Sequence, residues 1–284
     1  MTAQPTRLLS SIAPLAPAYD AWLCDVWGVM HNGVEAFASA VEACRNFRER
    51  GGIVLLLSNA PRPASAVAAQ IDRYGVPRDA YDGIVTSGDL TRKLIIERAQ
   101  ARLFHLGPER DKPLFEGLNL NFVAPDEAEL VICSGLLNDD VETPSDYTAM
   151  LEPLARRGVP MICANPDLKV ERGSRIVYCA GSLAAEYERL GGKVTYAGKP
   201  YGPIYDLAFE RLAELKGRPV PRERVLAIGD GVRTDIQGAA DAGIDSVFIA
   251  SAIHVAGELD IVTVEQLFGS SDAKPIAALP ALVW

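Results

Sequence analysis

Short apolar runs alternate with longer amphipathic stretches from residue 21 onward, and the alternation predicts strands at 21–25, 53–58, 193–197, 225–229 and 246–250. Between the first two, Ala36, Phe37, Ala40, Ala43, Cys44 and Phe47 recur at helical spacing, which predicts a helix over 36–50 that stops at Gly51-Gly52. Residues 63–74 repeat the device and end at Gly75. Strand, helix, strand in this order argues for βαβ units and a parallel sheet covered by helices on both faces. Right-handed crossovers then set strand 53–58 beside strand 21–25, with both carboxyl ends on one edge.

Residues 84–180 carry a second alternation. Strands are expected at 102–106, 129–133 and 160–164, with a break at Gly107-Pro108 and a helix after Pro144. At 284 residues the chain exceeds the usual size of one domain. The expected organisation is therefore α/β throughout, with a Rossmann-like parallel-sheet core made of 1–83 and 181–284 and an inserted α/β domain at 84–180. The segment 271–284, with Pro275, Pro280 and the apolar Ala281-Leu282-Val283-Trp284, carries no chemistry and is expected to pack on the core or on a partner.

Two of the predicted strands run into carboxylates near glycine: Trp22-Leu23-Cys24 leads to Asp25-Val26-Trp27-Gly28, and Val225 to Gly229 leads to Asp230-Gly231-Val232-Arg233-Thr234-Asp235. Ligands of open parallel sheets sit outside the carboxyl ends of strands, so Asp25, Asp230 and Asp235 are expected in one crevice. Clustered carboxylates want a divalent cation, and Mg²⁺ suits a few carboxylates, water and phosphate. Ser58-Asn59, at the end of another strand, and Lys199, in Gly198-Lys199-Pro200, are groups suited to gripping phosphate oxygens. Each also has an ordinary structural role open to it. Asp25 could form a turn, Ser58 could cap a helix, and Thr234 or Asp235 could sit at a helix start where the macrodipole favours a carboxylate. The loop Gly28 to Gly33 is polar and glycine-rich enough to act as a gate, and His31 within it reads as a loop hydrogen bonder.

Composition narrows the partners. A net charge of −9 without any long Lys/Arg run disfavours nucleic acid and anionic membrane surfaces. Five cysteines in apolar segments without a Cys-x-x-Cys pair read as reduced core thiols of a cytoplasmic protein, and no signal peptide or membrane span is evident. Neither a complete dinucleotide fingerprint nor a phosphate-binding P-loop motif occurs.

The order Asp25, Ser58, Lys199, then Gly229-Asp230 with Asp235 resembles the haloacid dehalogenase-like superfamily of phosphotransferases. Thr86-Ser87, Asn165-Pro166-Asp167 and Gly198-Lys199-Pro200 are similar to its subclass IIA phosphatases, and the resemblance spans roughly residues 20 to 250. It implies that 84–180 is a cap domain, that the substrate is a small phosphorylated metabolite, and that copies pair as a homodimer, to which the residues themselves do not point. It implies Asp25 as nucleophile, Lys199 and Asp235 as further catalytic groups, and Ser58, Asn59, Lys199, Asn165 and Asp167 as substrate-binding groups. Lys169 and Arg172 would face the crevice with Asn165 and Asp167. The metal would be held by Asp25, Asp230 and the backbone carbonyl of Trp27. One departure stands out: the family has a second Asp two residues after the nucleophile, where this chain has Trp27. Three readings follow: a Mg²⁺-dependent phosphatase lacking its usual general acid, a metal-free dehalogenase-type hydrolase, and a non-catalytic sensor of a phosphorylated metabolite.

Overall fold

The computed structural model describes residues 6–172, 175–250 and 259–284. Its strands, in chain order, are β1 (Arg7–Leu8), β2 (Ala21–Cys24), β3 (Ile53–Ser58), β4 (Gly83–Thr86), β5 (Arg102–Leu106), β6 (Asn121–Phe122), β7 (Leu130–Cys133), β8 (Met161–Cys163), β9 (Lys169–Arg172), β10 (Arg175–Tyr178), β11 (Val194–Tyr196), β12 (Val225–Gly229), β13 (Asp245–Ile249) and β14 (Ala277–Leu279). The α-helices are α1 (Ala38–Glu49), α2 (Ala64–Arg73), α3 (Ser87–Ile96), α4 (Thr148–Arg156), α5 (Ala180–Arg189), α6 (Gly202–Lys216), α7 (Gln237–Asp241) and α8 (Ile261–Phe268). They fall into two compact units, one of residues 1–58, 68–85 and 199–284, the other of 59–67 and 86–198.

The first unit is built on a seven-stranded sheet in the order β1-β14-β13-β12-β2-β3-β4. The pairings that join β1 through β14, β13, β12 and β2 to β3 are parallel. All six residues of β3, Ile-Val-Leu-Leu-Leu-Ser, are buried, as a strand covered on both faces requires. Helix α1 buries Ala40, Val41, Ala43, Cys44 and Phe47, the face that its spacing predicts, and begins at Ala38 with Phe37 as the flanking residue. The C-terminal segment packs on this unit: β14 joins the sheet beside β13, and Trp284 lies 6.3 Å from the ring of Trp22. From β2 the chain order runs outward to β3 and β4 on one side and to β12, β13 and β14 on the other. That reversal is a topological switch point, where the carboxyl ends of two neighbouring strands open a crevice.

The second unit has a five-stranded sheet in the order β11-β8-β7-β5-β6 and a separate antiparallel hairpin of β9 and β10. Its core joins Val131, Cys133, Met161 and Cys163 of the strands to Leu151 and Leu154 of α4 and Leu183, Ala184 and Tyr187 of α5. The division differs from the expected 84–180. Strand β11, expected in the core sheet at 193–197, instead pairs with β8 (Val194 opposite Met161), so this unit runs on to Gly198. Only a strand's hydrogen-bonded neighbour says to which sheet it belongs.

Candidate active site

Asp25 is the first residue beyond β2, and its N–H donates to the carbonyl of Ile228 in β12 at 2.8 Å. Asp230 follows the last residue of β12, and Ser58 is the last residue of β3 on the other flank of β2. Parallel register thus brings three strand ends to one edge. Beyond Gly231 the backbone makes a wide π-type turn in which Ile236 N–H bonds to the Gly231 carbonyl at 3.1 Å, and this turn leads into α7. It carries Asp235 back over the strand ends, and Oδ2 of Asp235 accepts the Gly231 N–H at 3.0 Å. The Asp235 side chain thus ties down the start of this turn.

Lys199 joins the carboxylates. Its Nζ donates to Oδ1 of Asp25 at 2.5 Å and to Oδ1 of Asp235 at 2.6 Å. Asp25, Asp230, Asp235 and Lys199 are all buried, and the three carboxylates place ligand oxygens within 4.8 Å of one another. Three carboxylates facing one ammonium leave negative charge in excess. Burial pushes the Asp25 carboxyl well above the usual carboxylate range against the pull of Lys199, and Asp235 and Asp230 push it the same way. For Lys199, burial works against the charge, yet Asp235 and Asp25 outweigh it and hold the ammonium well above its ordinary value. The charged lysine is thus held between carboxylates, and the Asp25 carboxyl takes up a proton more readily than an ordinary one.

The donors fit a hard divalent ion. Asp235 is bonded through both oxygens, to Lys199 and to the Gly231 amide, whereas Asp25 is bonded to Lys199 through Oδ1, and the Trp27 carbonyl accepts no hydrogen bond from the described residues. Oxygen donors alone, with neither histidine nor thiolate among them, suit Mg²⁺. A residue that the spacing did not flag is Gly28. At φ +84°, its position would place any Cβ 2.3 Å from a carboxylate oxygen of Asp230, so only glycine lets the loop after the nucleophile lie against that carboxylate.

The loop expected as a gate is tied down. Gly28 N–H donates to the His31 carbonyl at 2.9 Å, Met30 N–H to Val26 at 2.9 Å and Phe37 N–H to Met30 at 2.9 Å. His31 is the loop hydrogen bonder expected: Nδ1 accepts the Gly33 N–H at 2.8 Å, and burial pushes its imidazole down to about 4.

The remaining predicted residues gather within the second unit. Asn59 Nδ2 donates to Oδ1 of Asp167 at 2.9 Å, and Oδ1 of Asn165 accepts the Asp167 N–H at 3.0 Å. Ser87 adds a hydroxyl that donates to Oδ1 of Asn59 at 3.3 Å. Its place is prepared by a capping box between Thr86 and Asp89 at the start of α3, a signal present in Thr86-Ser87-Gly88-Asp89 but passed over in the sequence. Lys169 and Arg172 do not join this group. Lys169 Nζ lies 4.8 Å over the ring of Tyr178, and Arg172 makes paired bonds to Asp139 at 3.2 and 2.6 Å. Both cations are spent on holding the β9–β10 hairpin.

The sequence pattern described as haloacid dehalogenase-like hydrolase matches residues 22–121, and one described as HAD-hydrolase-like matches 196–266. A crystal structure of a haloacid dehalogenase-like hydrolase from Brucella suis is 46% identical, with a TM-score of 0.88 and coverage of 97% of this chain and 100% of that one. The chain belongs to the haloacid dehalogenase-like hydrolases. The 5′-nucleotidase YutF of Bacillus subtilis is 24% identical over 83% of this chain and 88% of its own length. The ribonucleotide monophosphatase NagD of Escherichia coli is 24% identical over 84% and 90%. In this haloacid dehalogenase-like hydrolase no described helix is long and apolar enough to cross a membrane, and all five cysteines are buried and unpaired.

Proposed function

We propose that the chain is a Mg²⁺-dependent phosphatase of small phosphorylated metabolites that works through a phosphoryl bond to Asp25. The observation that carries this reading is Lys199 held between Asp25 and Asp235 beside Asp230, at the switch point of the sheet. One oxygen of Asp25 attacks phosphorus in line with the ester oxygen; the new P–O bond forms as the P–O bond to the alcohol breaks. Water then attacks the same phosphorus, the bond to Asp25 breaks, and inorganic phosphate leaves. The Lys199 ammonium and the Ser58 hydroxyl donate to the equatorial oxygens, and Asp235 keeps Lys199 in place. Mg²⁺ held by Asp25, Asp230 and the Trp27 carbonyl would neutralise phosphate charge. Asn59, Asn165 and Asp167 are assigned to the polar groups of the metabolite.

Trp27 supplies no carboxyl to protonate the leaving oxygen or to activate water, a service worth about 10²–10⁴ in rate. The enzyme on this reading works best on esters whose alcohol leaves without a proton. A metal-free dehalogenase is disfavoured by the excess negative charge, which such an enzyme would leave unbalanced. By resemblance we also propose a homodimer, and from the free buried cysteines a cytoplasmic location, to be checked by light scattering and by fractionation.

The test is phosphate release from a panel of aryl, acyl, sugar and nucleoside phosphates, with and without Mg²⁺, by the natural protein and by Asp25→Asn. Mg²⁺-dependent release that drops on the order of 10⁴-fold or more in the variant is expected. Equal release by both proteins would refute the nucleophile, and retained binding without release from any ester would leave a sensor.

A further inference from the structure

Residues 21–26 are all buried, and Trp27, the next along, is half-buried at the strand edge that carries the nucleophile. Its six-membered ring closes on Gly33, where a Cβ would stand 2.6 Å from Cζ2 and 2.8 Å from Cη2. The ring of His31 meets it edge-on, with centroids 5.1 Å apart at 69°. His31 is fixed in turn by its bond from the Gly33 amide and by Tyr74, 5.0 Å away at 60°. Tyr74 is itself held, its hydroxyl accepting from Gln70 Nε2 at 2.9 Å. The Trp27 indole N–H donates to no described residue and, unlike that of Trp22, is not buried.

A large aromatic side chain kept partly in solvent by three supporting residues is a preorganised surface, because little rotamer freedom remains to be lost when something binds to it. It starts two residues from Asp25, so its Cα is within about 7 Å of the nucleophile's Cα. In-line attack directs the alcohol portion to the side of phosphorus away from the Asp25 carboxylate, so only a long side chain rooted beside Asp25, such as that of Trp27, can reach it. We propose that Trp27 is a specificity-determining residue whose indole stacks on the leaving group and selects phosphate monoesters of alcohols that carry a planar aromatic ring. The inference rests on the phosphatase reading given above and adds the chemistry of the leaving group to it. Offset stacking of two aromatic rings beyond simple burial amounts to about two- to tenfold in affinity.

Benzyl phosphate and cyclohexylmethyl phosphate separate this from leaving-group acidity, since both release a primary alcohol and differ in the planarity of the ring. The natural protein is expected to show a KM about two- to tenfold lower for the benzyl ester, with similar kcat for the two. The difference should survive in Trp27→Phe and vanish in Trp27→Leu. Equal KM values in the natural protein, or a preference that persists in Trp27→Leu, would overturn the inference. Equilibrium titration of both esters into Asp25→Asn, with and without Trp27→Leu, reads stacking without turnover. If neither ester is hydrolysed, yet the benzyl ester binds Asp25→Asn more tightly and only while Trp27 is present, the phosphatase reading fails and the stacking surface stands. Equal affinities there defeat the inference itself.

Discussion

The Lys199 ammonium lies 2.5 Å from the Asp25 carboxylate, with the two side chains 3% and 10% exposed. An ion pair buried to this degree gains from its Coulomb attraction and pays heavily in lost hydration, so its net worth depends on what else each partner meets. Here Lys199 also meets Asp235, which leaves the carboxylates short of positive charge.

Lys199→Met should therefore expose the imbalance. Removing the ammonium leaves buried carboxylates facing one another and is expected to destabilise the metal-free protein by about 3–5 kcal/mol. Mg²⁺ should raise the melting temperature of the variant more than that of the natural protein, and it should not restore turnover. Thermal melts with and without Mg²⁺ check this; an unchanged melting temperature without metal would mean that the pair contributes little.

Gly28→Ala combines a disfavoured backbone, at φ +84°, with a contact of 2.3 Å to the Asp230 carboxylate. Left-handed backbone costs an ordinary residue about 1–2 kcal/mol. Since Asp230 must also shift, Mg²⁺ affinity should fall along with stability. Asp230→Asn should weaken Mg²⁺ binding with less effect on backbone stability, and calorimetric titration of both variants separates the two effects. Natural Mg²⁺ affinity in Gly28→Ala would mean that Asp230 is not a ligand.

His105 sets a pH dependence away from the carboxylates. Burial, with Lys112 helping, pushes its imidazole down to about 4 from 6.5, while Nε2 shares a 2.9 Å hydrogen bond with the Ser134 hydroxyl. The unfolded chain takes up this proton near pH 6.5 and the folded chain only near 4, so the associated stability is complete above pH 6.5 and is lost as pH falls toward 4. The loss amounts to up to about 3 kcal/mol. His105→Gln, which keeps a polar partner for Ser134, should show a shallower decline between these limits in urea unfolding. An identical decline would assign the acid sensitivity to other groups.

On the proposed reading, Trp27→Asp supplies the carboxyl that the resemblance implies for this position. It should raise kcat on alkyl phosphates, by up to about 10², more than on aryl phosphates, and it should speed breakdown of the phosphorylated Asp25. Pre-steady-state release of alcohol and of phosphate distinguishes the two steps. Equal changes on both classes of ester would show that a missing acid does not govern the rate.

The strands that frame the site were legible because each is a short apolar run closed by a carboxylate or a hydroxyl, and such runs in βαβ order admit few sheet arrangements. Asp25, Ser58 and Asp230 could be singled out for the same reason, as polar groups placed where a buried strand ends, and Lys199 and Asp235 by the motifs Gly198-Lys199-Pro200 and Asp230-Gly231-Val232-Arg233-Thr234-Asp235. Membership of β11 in the second sheet could not be read, because a three-residue strand of half-buried and exposed residues fits either sheet until its partner is known. Lys169 and Arg172 were misplaced because a cation's position in the chain does not reveal that Tyr178 or Asp139 will claim it first. Gly28 against Asp230 and Trp27 against Gly33 were out of reach for the same reason: close approach across a loop is a property of packing in three dimensions. Local periodicity and strand-end chemistry thus determined the elements and the reactive groups, whereas partner choice, charge balance and steric fit waited for the tertiary structure, since each depends on atoms far apart in the chain.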